Sequence, residues 1–74
     1  MSRTAVKSSV IAAVDYDPDT RQLRVEFHNG RLYRYDNVPP MEVAGLLVAE
    51  SVGSYFNRRI RKRYKGVRIR SGVR

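Results

Sequence analysis

Two short runs, Leu23-x-Val25-x-Phe27 and Tyr33-x-Tyr35, flank His28-Asn29-Gly30, and their pairing constrains the fold more than any other feature of the chain. Apolar residues alternating with Arg24, Glu26 and His28 describe a strand with one buried face. Asn-Gly between two such runs marks a tight hairpin. A two-residue loop sets Phe27 opposite Leu32 and Val25 opposite Arg34, which breaks the apolar face. A three-residue loop closing on Gly30 as a bulge sets Phe27 opposite Arg31, Val25 opposite Tyr33 and Leu23 opposite Tyr35. Only this second register gathers Leu23, Val25, Phe27, Tyr33 and Tyr35 on one face, and a slip of one residue would undo it. We expect the second register.

Ahead of the hairpin, Val10, Ala12, Val14 and Tyr16 alternate with Ile11, Ala13 and Asp15, again a strand period. Asp17-Pro18-Asp19-Thr20 reads as the turn between them, with Pro presetting φ and Asp able to bond nearby amides. After a third strand from Arg31 to about Asp36, Val38-Pro39-Pro40 ends the sheet region. Val43, Leu46 and Leu47 then follow at helical spacing, with Glu42 near the positive helix end. Gly53 interrupts the pattern and Ser54 is a good N-cap for a second helix. Phe56, Ile60 and Tyr64 recur every four residues as its apolar stripe, and Gly66 ends it. The expected fold is α+β: a three-stranded antiparallel β-meander followed by two helices on one face (βββαα). Residues 1–65 form its single small domain and 66–74 a flexible basic tail. A competing reading of the tail has Val67 and Ile69 alternating with Arg68 and Arg70 as a short strand on a free sheet edge.

A chain of 74 residues holds one domain. At this size only about 60% of the unfolded chain's surface is buried, so the core is thin. Without cysteine there is neither a disulfide framework nor a cysteine zinc site to brace it. No cofactor is expected in so small a body. The longest apolar stretch, Val43 to Ala49, is seven residues with a Gly inside, far short of the ~20 that span a bilayer. The apolar block at residues 10–14 is also too short for a signal-peptide core. These features make a cytoplasmic monomer the expectation.

The net charge of +8 is concentrated at one end. Residues 1–57 carry six cations and all seven acids, whereas residues 58–74 carry nine cations and no acid. Like charges packed so densely repel one another, and such blocks commonly meet polyanions. A solvated, solubilising tail would have the same composition, but six cations among the eight residues 58–65 leave only Ile60 and Tyr64 uncharged. Arg outnumbers Lys seven to two in residues 58–74, which favours bidentate recognition of phosphate or carboxylate.

The runs Val6-x-Ser8-Ser9-x-Ile11, Tyr16-Asp17-Pro18, Leu23-x-Val25-x-Phe27-x-Asn29-Gly30, Tyr33-x-Tyr35, Val38-Pro39 and Gly53-Ser54-Tyr55-Phe56-Asn57-x-x-Ile60 follow one another along the chain. Taken together they resemble the KTSC domain. The resemblance covers about residues 6–64 and leaves the basic extension from Lys65 outside. The family is named for the C-terminus of certain lysyl-tRNA synthetases and also occurs as stand-alone small proteins in bacteria and phages. The resemblance implies no established activity and no catalytic residues, and RNA binding is only suggested for the family.

The residues themselves argue for binding rather than catalysis. Ser8, Ser9 and Ser54 could serve as nucleophiles only with a base in reach, and the single His28 flanks a hairpin turn. No acid–base constellation emerges, so no enzyme is expected. Asp15, Asp17, Asp19 and Glu26 approach a calcium-loop spacing, but Thr20 occupies its glycine position and the flanks are strands. No metal site is expected. The nucleic-acid-binding set is Arg58, Arg59, Arg61, Lys62, Arg63, Tyr64, Lys65, Arg68 and Arg70. Tyr64 would stack on a base among cations that hold phosphates, while Tyr33 and Tyr35 belong to the core. The expected function is a non-catalytic module for nucleic acid, RNA favoured. The alternative is a small regulator docking on an acidic surface of a protein machine such as RNA polymerase. An anionic membrane is disfavoured, because the basic helix lacks a wide apolar face.

Overall fold

The computed structural model describes residues 2–69. Five strands, β1 (Ser2–Ala5), β2 (Ile11–Asp17), β3 (Gln22–Phe27), β4 (Leu32–Tyr35) and β5 (Gly66–Ile69), form one antiparallel sheet in chain order. Helices α1 (Pro40–Val48) and α2 (Val52–Tyr55) lie in sequence between β4 and β5, and α2 runs on as π-helical turns over Phe56–Arg61. The α+β class stands, but the three-stranded βββαα order does not: the order is ββββααβ. Ser2–Ala5 has no run of alternating apolar residues, and as an edge strand it takes its structure from pairing with β2. Residues 66–69, expected within a flexible tail, instead pair with β4, setting Leu32 opposite Ile69 and Tyr33 opposite Arg68. The backbone hydrogen bonds of a sheet edge offset the small apolar burial available to this segment. Arg70 and Arg74, the rest of that tail's charge, lie outside the described residues.

The hairpin register is the one that the apolar face requires. Leu23 faces Tyr35 and Val25 faces Tyr33. The Phe27 N–H donates to the Arg31 carbonyl at 2.9 Å, and the Gly30 N–H donates to the Phe27 carbonyl at 2.9 Å. Gly30 adopts φ +89°, a left-handed conformation natural to a bulge glycine. In β2, however, strict alternation fails. Ile11 pairs with Phe27 but Ala13 already pairs with Glu26, so β2 carries one residue more than its partner at Ala12. This bulge turns Ile11 onto the same face as Val14, and both side chains are buried in one core. Val10, grouped with Val14 by simple alternation, is exposed.

The helices close the core over this face. Pro39 and Pro40 start α1, where a missing N–H costs nothing, and Val43 and Leu46 turn inward. The second helix starts earlier than the sequence implies. Ser51, not Ser54, is the N-cap: its Oγ accepts the Ser54 N–H at 3.3 Å, and Gly53 lies inside the helix. The helix ends at Arg61 rather than at Gly66, which instead opens β5, and residues 62–65 form the turn between them. Phe56 and Ile60 are buried on the helix, and Tyr64, half-buried, continues the apolar stripe from the turn. Tyr16 anchors the linker before α1, its hydroxyl donating to the Val38 carbonyl at 2.6 Å. On β5, Gly66 sits beneath the Tyr35 ring, and a Cβ there would run into the ring carbons.

Candidate nucleic-acid interface

The end of the second helix and the turn after it present Arg58, Arg59, Arg61, Lys62, Arg63 and Lys65 to solvent, but their partners divide them into two sets. Arg59 and Arg63 point back to α1. Arg59 Nε lies 3.8 Å from Glu42 Oε1, and Arg63 Nη1 lies 3.9 Å from Glu42 Oε2. Glu42 itself is only 8% exposed, and the Tyr55 hydroxyl donates to its Oε1 at 2.9 Å. Arg59 also stands 5.7 Å from the centre of the Tyr55 ring. Burial, the bond to Glu42 and that carboxylate's charge raise the Tyr55 phenol above its ordinary pKa, against an opposing pull from Arg59. Glu42 was read from sequence only as a favourable charge near a helix N-terminus. Its position four residues before Leu46 places it toward the buried side, a signal that the spacing already held.

Arg58, Arg61, Lys62 and Lys65 have no ion-pair partner among the described residues. Arg61 reaches toward Tyr35, whose phenol burial pushes up in pKa while the Arg61 charge pulls it down. It forms one wall of a groove of about 310 Å³ between the β3–β4 hairpin and the second helix. The floor is a chain of aromatic rings. Phe27 meets Tyr33 edge-on at 5.8 Å and Phe56 at 5.7 Å, and Tyr35 meets Phe56 at 5.3 Å. Arg31 and Asn29 rise from the hairpin loop, and Asn57 faces them from the helix. The Asn29 side chain accepts the Arg31 N–H at 2.9 Å and so fixes the loop that carries Arg31.

Tyr33 and Tyr35 hold the core positions expected of them: Tyr35 is 5% exposed, and half-buried Tyr33 packs against the core while its edge borders the groove. Arg68 is its partner across the β4–β5 ladder and therefore shares its face. Tyr64, by contrast, packs against the core as the end of its stripe rather than standing out among Arg63 and Lys65. Arg31, Asn29 and Asn57 escaped the sequence reading because a hairpin loop and a helix meet only in the folded chain. Of the serines weighed as nucleophiles, Ser8 has its hydroxyl engaged in a local turn. Ser8 Oγ accepts the Val10 and Ile11 N–H groups at 3.1 and 3.2 Å, and His28 Nε2 lies 2.8 Å from the Ser8 carbonyl oxygen. Asp17 Oδ1 accepts the Asp19 N–H at 3.0 Å within its turn. Among the described residues, no helix is long and apolar enough to cross a membrane.

Relatives share this architecture. A KTSC domain protein from Yersinia pestis, known from its crystal structure, superposes with a TM-score of 0.86 at 33% identity, covering 93% of this chain and 97% of that one. An uncharacterized protein from Stutzerimonas stutzeri is 49% identical over 57 residues, 77% of this chain and 80% of the relative. A lysine–tRNA ligase from Nostoc punctiforme is 37% identical over 59 residues, which is 80% of this chain but only 10% of the ligase. The KTSC domain model matches residues 7–64. The chain belongs to the KTSC domain family.

Proposed function

We propose that the protein is a non-catalytic module that binds nucleic acid, with RNA favoured, through Arg58, Arg61, Lys62 and Lys65. The observation that carries this reading is the sorting of charge on the second helix. Glu42 engages Arg59 and Arg63, whereas Arg58, Arg61, Lys62 and Lys65 are exposed and have no ion-pair partner among the described residues. Phosphate contacts from such a surface position a strand without reading its sequence, so sequence preference is weak. Similarity to part of a protein named lysine–tRNA ligase supports RNA over DNA.

The test is the salt dependence of binding to a short RNA. Each phosphate neutralised contributes about 0.7–0.9 to the slope of log affinity against log salt. Changing Arg58, Arg61 and Lys62 together to Ala should flatten that slope by about two to three units and leave the fold intact. An unaltered slope would take this helix out of the interface. A partner captured from lysate that persists after nuclease treatment would favour an acidic protein surface instead.

A further inference from the structure

The groove between the hairpin and the second helix combines two properties and is lined by no carboxylate. Its floor is aromatic, and its rim is cationic. Three other hollows each include a carboxylate: Asp15 and Glu26 on the sheet, and Glu50 in the two beside the α1–α2 junction. The aromatic groove is lined by none, and Arg31 and Arg61 stand at its margin. Arg68 approaches the same ground from β5 as the cross-strand partner of Tyr33. Arg31 and Arg61 share the groove with half-buried Tyr33, and Arg68 pairs with Tyr33 from the neighbouring strand.

Arg31 and Arg61 line the groove and no carboxylate lines it with them. An anion arriving there meets positive charge from both, with Arg68 on the same sheet face beside Tyr33. The floor between them, however, is made of aromatic rings, so a simple inorganic anion would leave those rings unused. Tyr33 keeps part of its ring exposed where Tyr35 and Phe56 do not. A ligand that joins a flat π-system to flanking negative charge satisfies both halves of the site. A volume of about 310 Å³ lies at the lower end of small-ligand pockets, enough for a single ring system rather than a duplex edge.

We infer that this groove receives one unpaired nucleobase against Tyr33, with the adjoining phosphates on Arg31, Arg61 and Arg68. The inference rests on the nucleic-acid reading and sharpens it to a single-stranded ligand. Duplex RNA keeps its bases stacked inside the helix, so it engages only the exposed cations of the second helix. Asn29 and Asn57 supply amides at the rim, where they can meet base edges without selecting one base strongly.

The experiment follows backbone amide shifts of the full-length protein on titration with adenosine 5′-monophosphate, then with a short single-stranded oligo(A) RNA. The largest shifts should fall at Arg31, Tyr33, Arg61 and Arg68 for both probes. Tyr33→Leu keeps an apolar side chain against Phe27 and should weaken oligo(A) binding about tenfold, a typical loss for one stacked base. Tyr33→Phe should restore it, and binding of heparin, a polyanion without bases, should be equal in all three proteins. Shifts confined to residues 58–65, with Tyr33→Leu binding oligo(A) like the unaltered protein, would overturn the groove site and leave the helix reading standing. If Tyr33→Leu fails to fold, the shift map of the unaltered protein decides alone. Failure of that protein to bind any RNA would take down both readings.

Discussion

Arg59 and Arg63 sit within five residues of Arg58, Arg61 and Lys62, yet the two groups belong to different machinery. The first pair faces Glu42 and Tyr55 and helps tie the second helix to α1. The other set meets solvent and the aromatic groove. A count of basic residues treats all of them as binding charge. Helical geometry shows that part of that charge is spent inside the molecule, where a carboxylate of the near-neutral body reaches it.

Breaking the helix away from the sheet should abolish the distinction altogether. Phe56→Ala removes a buried ring that touches Phe27 and Tyr35, and should cost about 3–5 kcal/mol in urea unfolding. A loss below about 1 kcal/mol would mean that the Glu42 side, not the aromatic side, seats the helix.

A smaller effect separates the two groups directly. Glu42→Ala deletes the acceptor for Tyr55 and should cost about 1.5–3 kcal/mol, the range for hydrogen bonds to charged groups. It also releases Arg59 and Arg63, so the salt slope for RNA should steepen. Arg59→Ala with Arg63→Ala should cost no more than about 1 kcal/mol, since both guanidinium groups are more than half exposed. Their loss should leave the RNA slope unchanged. A slope that flattens as much as for Arg58, Arg61 and Lys62 would erase the division.

The smallest effect is on alkaline stability. The Tyr16, Tyr35 and Tyr55 phenols all have raised pKa values, chiefly through burial. A raised value means that the folded state holds the proton more tightly than the unfolded chain. The associated stability is complete below the unfolded value near 10 and is lost as pH rises through the folded values. The melting temperature should therefore fall above about pH 10, and Tyr55→Phe should soften that fall. An identical alkaline profile in Tyr55→Phe would separate Tyr55 from the effect.

The hairpin was legible because its alternation, its Asn-Gly turn and its aromatic face admit a single register. The apolar stripe Phe56–Ile60–Tyr64 was legible for the same reason, since spacing alone determines a helix face. What was not legible depends on partners far along the chain. β1 and β5 have little apolar pattern and become strands by lying against β2 and β4. The Ala12 bulge answers to the packing of Ile11 and Val14, which no local rule announces. The groove draws its residues from a loop, a helix and two strands, so the sequence offers Arg61 as a binding residue and Phe27, Tyr33 and Tyr35 as core but does not bring them together around one hollow.

The pairing of Tyr35 with Gly66 has a kinetic consequence. The β2–β3 and β3–β4 turns close over a few residues, whereas β5 can join only by closing a loop that contains both helices. The entropy of that closure is met before its contacts form, and long-range pairings of this kind form late. We expect β5 to dock after Phe56 and Ile60 have seated the helix, and to be the first strand to leave. Arg68 then reaches Tyr33 only in the final step of folding, so an incompletely folded chain can expose its basic helix while its groove still lacks one of three arginines.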